Sequence, residues 1–548
     1  MKRKTIVRLL GAAVLSASLL AGCDSGNDSN RGKIEQEEEE EAKPTKAPQE
    51  PEPVAEPTEE PTPTEAPVAK DIDYRLLELS TDAVSNYYYE DDQPLVTAKA
   101  THIELLDDDL PELKQAIDKF SSEREAYVTG ESFDQTVEMM LGMKEEMTNG
   151  EAGEGMAPSF YYTSYEDYDV NVVRADTVVT SLLSYDESYS GGVHGSYYYI
   201  PVNFDSLTGE ELHIHDVVSD SMINELPGIL EEKLLEKYDA EMFFQADTLA
   251  ETIEESISMN GDLNFSIGYE GLTFYFQIYE LAPYVSGHQT VFLSYADYPG
   301  LADEKYTECS NNFIINLEAM GDTIPFSEDT LSAYFTDEDE SGYRTKLVID
   351  LNGKEYSEKV ESYPPGSFWV ACLDGERYLM VNKSYGEGYY GLNIYSLNNG
   401  KPQLTAEYPG GIRYGVPMDP LNFRIYEKCH LMSTYTIYRY YYISRSGEPA
   451  STDEYYLVDT TNNRPYLTVK QSVDAELRDN VDDESYTTTT LSKGVKIYFY
   501  AVDPTQWVDF ETDDGKHVRF YLDGEDGKGQ TIDGVEIEDI FDGISYGQ

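Results

Sequence analysis

The chain has 548 residues, 105 of them acidic and 39 basic, with a formal charge of −66. Its length allows two or three domains with substantial cores. The acidity argues against nucleic acid, which needs a basic footprint, and against adhesion to anionic lipid or teichoic acid. It suits a cationic partner, or plain solubility at an exposed surface.

The first residues read as an export signal. Lys2, Arg3 and Lys4 precede an apolar run from Leu9 to Ala21, which closes at Leu20-Ala21-Gly22-Cys23. A run this short is a secretory h-region rather than a membrane span. Cysteine directly after Leu-Ala-Gly matches a lipobox, so Cys23 is the expected lipidation site, carrying a diacylglycerol that anchors the chain outside the cell membrane. From Asp24 to Lys70 the chain reads as a tether: residues 31–70 hold 12 Glu and 8 Pro and no aromatic residue. Such a segment cannot form a core, and extended it reaches on the order of 140 Å.

The folded part is expected to open near Ile72. Pro111 begins a helix with Leu113, Ala116, Ile117 and Phe120 on one face. Ser132 with Gln135 resembles a capping box before a second helix bearing Phe133, Val137, Met140 and Leu141. Met139, Met143 and Met147 repeat every four residues and are read as core packing. Strands follow at Phe160–Tyr168, Val170–Arg174 and Thr177–Tyr189. Then come Ser190-Gly191-Gly192-Val193-His194-Gly195-Ser196 and a strand from Tyr197 to Phe204, with Asn203-Phe204-Asp205 leading to a turn at Thr208-Gly209. Glu211–Ile214 is expected to complete that hairpin. Pro227 is expected to start a helix whose Leu230, Leu234, Leu235 and Tyr238 face the sheet, and a further helix runs near Leu249, Ile253 and Ile257. Strands Leu272–Tyr279, within Tyr275-Phe276-Gln277-Ile278-Tyr279-Glu280-Leu281-Ala282-Pro283-Tyr284, and Val291–Tyr295 close the layer.

This order of motifs, the GGxHG turn, the Asn-Phe-Asp strand, and YFQIYELAPY with Gly287 after it, resembles a paired extracellular module, DUF4163 followed by DUF3298. It occurs in Gram-positive envelope proteins. They include lysozyme-sensing anti-sigma factors of the RsiV type and peptidoglycan deacetylases of the PdaC type. The resemblance covers roughly Ile72 to Leu301 and implies an extracellular recognition role. The deacetylase metal triad is missing from this chain, as is a transmembrane helix leading to a sigma-binding segment.

After Tyr306, short Tyr/Val/Ile runs alternate with Asn-Gly, Asp-Gly and Gly-Glu-Gly turns, as at Leu347–Leu351, Tyr378–Asn382, Leu392–Leu397 and Thr434–Ile443. The last expected strands are Lys496–Tyr500, Trp507–Glu511 and Val518–Leu522. The predicted architecture is therefore an α+β antiparallel-sheet N-terminal module followed by an all-β C-terminal region, sandwich or propeller-like. The expected divisions are a lipoprotein signal peptide at 1–23, the tether at 24–70, the DUF4163 domain at 71–196, the DUF3298 domain at 197–301, a β-rich domain at 302–490, and a small β module at 491–548.

Candidate chemistry is sparse. His194 sits between glycines that let backbone approach another group closely, and it reads as a turn histidine or a pocket group. His213 and His215, on a strand, would share a face near Asp216; a zinc site there is weaker than two surface histidines. Asp337-Glu338-Asp339-Glu340-Ser341-Gly342 opens like a calcium loop, but Val348 stands where the bidentate acid belongs. Cys309, Cys372 and Cys429 allow one disulfide plus a buried thiol, or three buried thiols. No catalytic residue, metal or cofactor is assigned. The 47 tyrosines are often clustered, at Tyr87–Tyr89, Tyr197–Tyr199 and Tyr440–Tyr442. On a strand, one half of each cluster should be core and the other exposed. The candidate binding residues are Gly191, Gly192, His194, Tyr197, Tyr199, Tyr279 and Tyr284. The expected function is non-catalytic capture of a surface ligand, a lysozyme-like protein or peptidoglycan. The alternatives are an enzyme acting on wall polymers and an accessory envelope protein.

Overall fold

The computed structural model describes residues 72–90, 93–148, 163–191, 194–317, 324–326, 329–386, 388–413, 415–460, 464–524 and 529–546. The signal, the lipobox and the tether lie outside these residues. The first layer is a hairpin, β1 (Leu79–Glu90) and β2 (Gln93–Leu105), then two helices, α1 (Pro111–Thr129) and α2 (Glu131–Thr148), then β3 (Ser164–Ala175), β4 (Val179–Tyr189) and β5 (Ser196–Asp205). The sheet order is 415–416, β1, β2, β3, β4, β5. Its hairpins are antiparallel, and β2 and β3 are parallel because the two helices carry the chain back between them.

Alternation along the strands decides where the helices go. Val96, Ala98 and Ala100 of β2 are buried against Val128, Phe133, Val137 and Met140, with Val84, Tyr88 and Tyr168 packed beside them. Pro111 stands in the first turn of α1, where its missing N–H costs nothing. Gly130 separates the helices, and a Cβ there would lie 2.4 Å from the Ala126 carbonyl oxygen. Ser132 consequently falls inside α2 instead of capping it. Met143 packs at the edge of the core, but Met139 faces solvent, so the methionine repeat is not a buried stripe.

The second layer joins α3 (Ile214–Val217), α4 (Asp220–Lys237) and α5 (Leu249–Asn260) to a three-stranded sheet of β6 (Phe265–Ile267), β7 (Gly271–Phe276) and β8 (Gln289–Ser294). Its core includes Leu226, Leu230, Leu234, Ile253, Phe274 and Val291. Three expectations are corrected here. Helix α4 begins at Asp220, and Pro227 lies within it, buried, where packing compensates the lost backbone bond. Leu235 is exposed. Glu211 makes one bridge to Phe204 and the chain then turns into α3, so His213 and His215 are not strand neighbours.

Among the described residues from Phe313 onward, nearly all the regular structure is strand. An eight-stranded antiparallel sheet spans Phe313 to Tyr408, and an eleven-stranded sheet spans Phe423 to Asp542. The latter places Lys496–Asp503, Trp507–Glu511 and His517–Tyr521 beside Val473–Arg478. Position 490/491 therefore falls inside one sheet, as 196/197 falls inside the β4–β5 hairpin. The acidic run at 337–342 is a hairpin turn, with Asp339 Oδ1 accepting from the N–H groups of Ser341 and Tyr343.

A buried ion pair ties these layers together. Arg174 and Asp176, both without solvent exposure, meet at 2.7 Å. Arg174 also donates to the carbonyl oxygens of Gly268 at 3.3 Å, Tyr306 at 2.6 Å and Glu308 at 2.9 Å. Asp176 Oδ1 accepts from the Val178 and Val179 N–H groups. Arg174→Met strands a buried carboxylate and three carbonyls and should cost about 3–5 kcal/mol. Arg174→Met with Asp176→Asn should cost less than the single change. Urea denaturation of both variants checks this, and a double variant as unstable as the single would contradict it.

Candidate ligand-binding face

The face of the first sheet turned away from α1 and α2 is partly exposed toward the Tyr87 end, while Ser181 and Leu183 at its other end are buried beneath β6 and its neighbours. Register places Tyr87 opposite Thr97, Thr97 beside Tyr165, Tyr165 opposite Tyr189, and Glu187 opposite Tyr197, all on this face. Tyr87 and Tyr89 are exposed, while Tyr88 between them packs toward the helices. Three carboxylates, Asp167, Asp169 and Glu187, stand among the rings, with Lys99 bonded to Asp169 at 2.6 Å. Tyr165 donates to Glu187 at 2.7 Å, and that bond chiefly pushes the phenol up to about 12. Burial raises the Asp167 carboxyl above the usual carboxylate range.

At the β5 edge the aromatic rings close into a cluster. The His194 ring stacks on Tyr284, centroids 3.8 Å apart and planes 20° apart. Its Nδ1 meets the Gly195 carbonyl oxygen at 2.9 Å, and its Nε2 meets the Tyr279 hydroxyl at 3.4 Å. Tyr284 contacts Tyr279 and Tyr197 in turn. Tyr197 and Tyr199 both set their rings against His288 at 4.7 Å, and Tyr185 joins them from β4. The structure thus brings His194, Tyr197, Tyr199, Tyr279 and Tyr284 together. Gly191 lies in the turn with φ +103, and Gly192 falls outside the described residues. The groups that meet His194 are two tyrosines and a backbone carbonyl.

The segment from Gln277 to Gln289 is fastened to β5 by side-chain amides. Gln277 Oε1 accepts from the Tyr199 N–H at 3.2 Å, and its Nε2 donates to the Tyr199 carbonyl at 2.6 Å. One side chain thereby satisfies an outward-facing residue of an edge strand, as a further strand would. His288 Nε2 also bonds Gln277 Oε1, at 3.1 Å. From beneath, Gln289 donates to the Gly287 carbonyl at 2.6 Å. Tyr279, expected in the strand, lies beyond it at φ +66, because β7 ends at Phe276. Gly287 adopts φ +66, ψ −161, a region closed to residues with a Cβ.

His288, Tyr185 and Gln277 escaped the sequence reading. Gln277 lay within the quoted YFQIYELAPY stretch and Tyr185 within the expected Thr177–Tyr189 strand, but neither was among the candidate binding residues. His213 bonds Asp262 at 2.6 Å, which raises its pKa. Among the described residues no group of three or more His, Cys, Asp or Glu is placed to hold a metal ion.

Residues 215–296 match the family model described as protein of unknown function, DUF3298. The chain thus carries a DUF3298 domain that begins at α3 and ends past β8. The Gln277–Gln289 segment falls inside it, and β3, β4 and β5 fall outside. Among solved structures, a DUF3298 family member from Bacteroides fragilis NCTC 9343 is 15% identical with a TM-score of 0.33, over 42% of this chain and 96% of that one. A DUF3298 family protein from Pseudomonas aeruginosa PAO1 is 14% identical with a TM-score of 0.26, over 43% of this chain and 98% of that one. No curated protein matches the chain.

Two outcomes are expected of this cluster. Burial lowers His288 to about 4, below the ordinary imidazole value of about 6.5. Between these values the unfolded chain binds a proton that the folded chain refuses, so stability falls as pH drops from about 6.5 toward 4. His288→Gln should flatten that slope in urea titrations at pH 7, 6 and 5; an NMR titration of His288 centred near 6.5 would contradict it. Gly287→Ala should cost about 1–3 kcal/mol, read as a lowered urea midpoint.

Proposed function

We propose that the protein is a lipid-anchored, extracellular envelope protein whose aromatic face captures a ligand without transforming it. The ligand is a lysozyme-like protein or cell-wall glycan. The observation that supports this best is the exposed part of this sheet face, where tyrosines from four strands and the Gln277–Gln289 segment surround Asp167, Asp169 and Glu187. Tyrosine gives large contact area at low entropy cost, and its ring face attracts cationic side chains. The carboxylates favour the same partner. The resemblance to the paired DUF4163 and DUF3298 module of lysozyme-sensing and peptidoglycan-modifying proteins points the same way. The lipobox Cys23 and the Glu/Pro tether fit a protein held at the membrane and displayed in the wall.

Interferometry with the full chain against hen lysozyme and against solubilised peptidoglycan tests the reading. Tyr87→Ala with Tyr89→Ala, and separately Tyr279→Asn, should each weaken binding about tenfold or more. Asn at 279 keeps the positive φ available. Lysozyme binding should weaken further with salt and with Glu187→Gln, whereas glycan binding by stacking should tolerate both. Equal affinity in the parent and both tyrosine variants, or no binding to either ligand, would sink the proposal.

A further inference from the structure

A second feature lies away from the aromatic face. A cavity of about 550 Å³ opens where the turn between β6 and β7 meets the first strands of the C-terminal region. Tyr269, Glu270, Cys309, Phe313, Cys372 and Arg377 contribute to its wall. The two thiols approach this space from different parts of the chain. Cys309 follows the DUF3298 domain, and its Sγ meets the Tyr269 carbonyl oxygen at 3.7 Å. The Tyr269 ring stacks on Phe313 with centroids 4.4 Å apart. Phe313 is the cross-strand partner of Cys372. One shell of residues therefore connects the two cysteines.

We infer that Cys309 and Cys372 are a disulfide-forming pair, reduced in this structure, whose closure fastens the segment after the DUF3298 domain to the Lys354–Leu373 strand. Both cysteines line the cavity, and Cys309 is the partly exposed one of the two. The co-reactant is a low-molecular-weight disulfide. A thiolate of one cysteine attacks it, releasing one thiol and leaving a mixed disulfide. The second cysteine displaces the other half, so one S–S bond forms in the protein, one breaks in the oxidant, and two thiols leave. Cys429 takes no part: it is buried in another core, with the Tyr435 hydroxyl at 3.6 Å. Burial pushes Cys309 up to about 11 and Cys372 up to about 12. Both are protonated at neutral pH, so closure is slow there and quickens with the thiolate fraction, approaching tenfold per pH unit.

The full chain is incubated folded with excess oxidised glutathione at pH 7 and pH 9, blocked with N-ethylmaleimide and digested without reduction. The expected product is a Cys309–Cys372 peptide pair that forms faster at pH 9, with Cys429 alkylated only after unfolding. Thermal unfolding of the oxidised protein should rise by roughly 5 °C. That rise should vanish with dithiothreitol and in Cys309→Ser or Cys372→Ser, and persist in Cys429→Ala. Glutathione held on Cys309 while Cys372 remains a thiol would overturn the inference. So would failure of the pair to form at pH 9 in protein that stays folded.

Discussion

The described fold turns on the buried Arg174–Asp176 pair. An arginine with no access to water is tolerable only when its charge is opposed and its N–H groups are all received. Here the receivers come from three stretches: Asp176 next to β3, Gly268 in the β6–β7 turn, and the carbonyls of Tyr306 and Glu308. The guanidinium therefore acts as a branch point where the first sheet, the second layer and the start of the C-terminal strands are held in one arrangement. An apolar residue could fill the space, but it would take the arginine donor away from three peptide carbonyls, the Tyr306 one among buried groups. The specificity of this junction is thus a hydrogen-bond requirement, not a packing one.

With that junction fixed, the aromatic face follows from strand alternation. Helices α1 and α2 cover one side of the sheet, so every second residue of β1 to β5 must face the other way. The sequence places tyrosine, threonine and carboxylates there, at Tyr87, Thr97, Tyr165, Asp167, Glu187 and Tyr197. The edge strand β5 poses a separate problem, because an open edge invites pairing with another chain. Gln277 resolves it at Tyr199 with a single amide. That clamp also delivers Tyr279, Tyr284 and His288 to the sheet, so protection of the edge and completion of the cluster share one cause.

Much of this was legible from local patterns. The helices at Pro111 and Leu249, the Asn352-Gly353 hairpin and the strand Trp507–Glu511 follow from periodicity and turn chemistry that act within a few residues. The candidate residues His194, Tyr197, Tyr199, Tyr279 and Tyr284 were legible as unusual, but not as neighbours. Their convergence depends on Gln277 reaching across from another layer. Pro227 misled because its rule for helix starts is statistical, and the burial of Leu226, Pro227 and Leu230 keeps a longer helix intact. The pairing of β1 with residues 415–416 had no local signal: it joins positions more than three hundred residues apart.

The acidity and the tyrosines make sense together. A face with exposed rings would draw copies of the chain together through hydrophobic contact. A formal charge of −66 opposes that approach, because each copy repels the next over roughly a Debye length, about 8–10 Å in physiological salt. Repulsion of this kind discriminates by sign. It acts against another copy of the same chain and not against a cationic or neutral surface. The charge therefore opposes association of these rings between copies through groups spread far beyond the face itself.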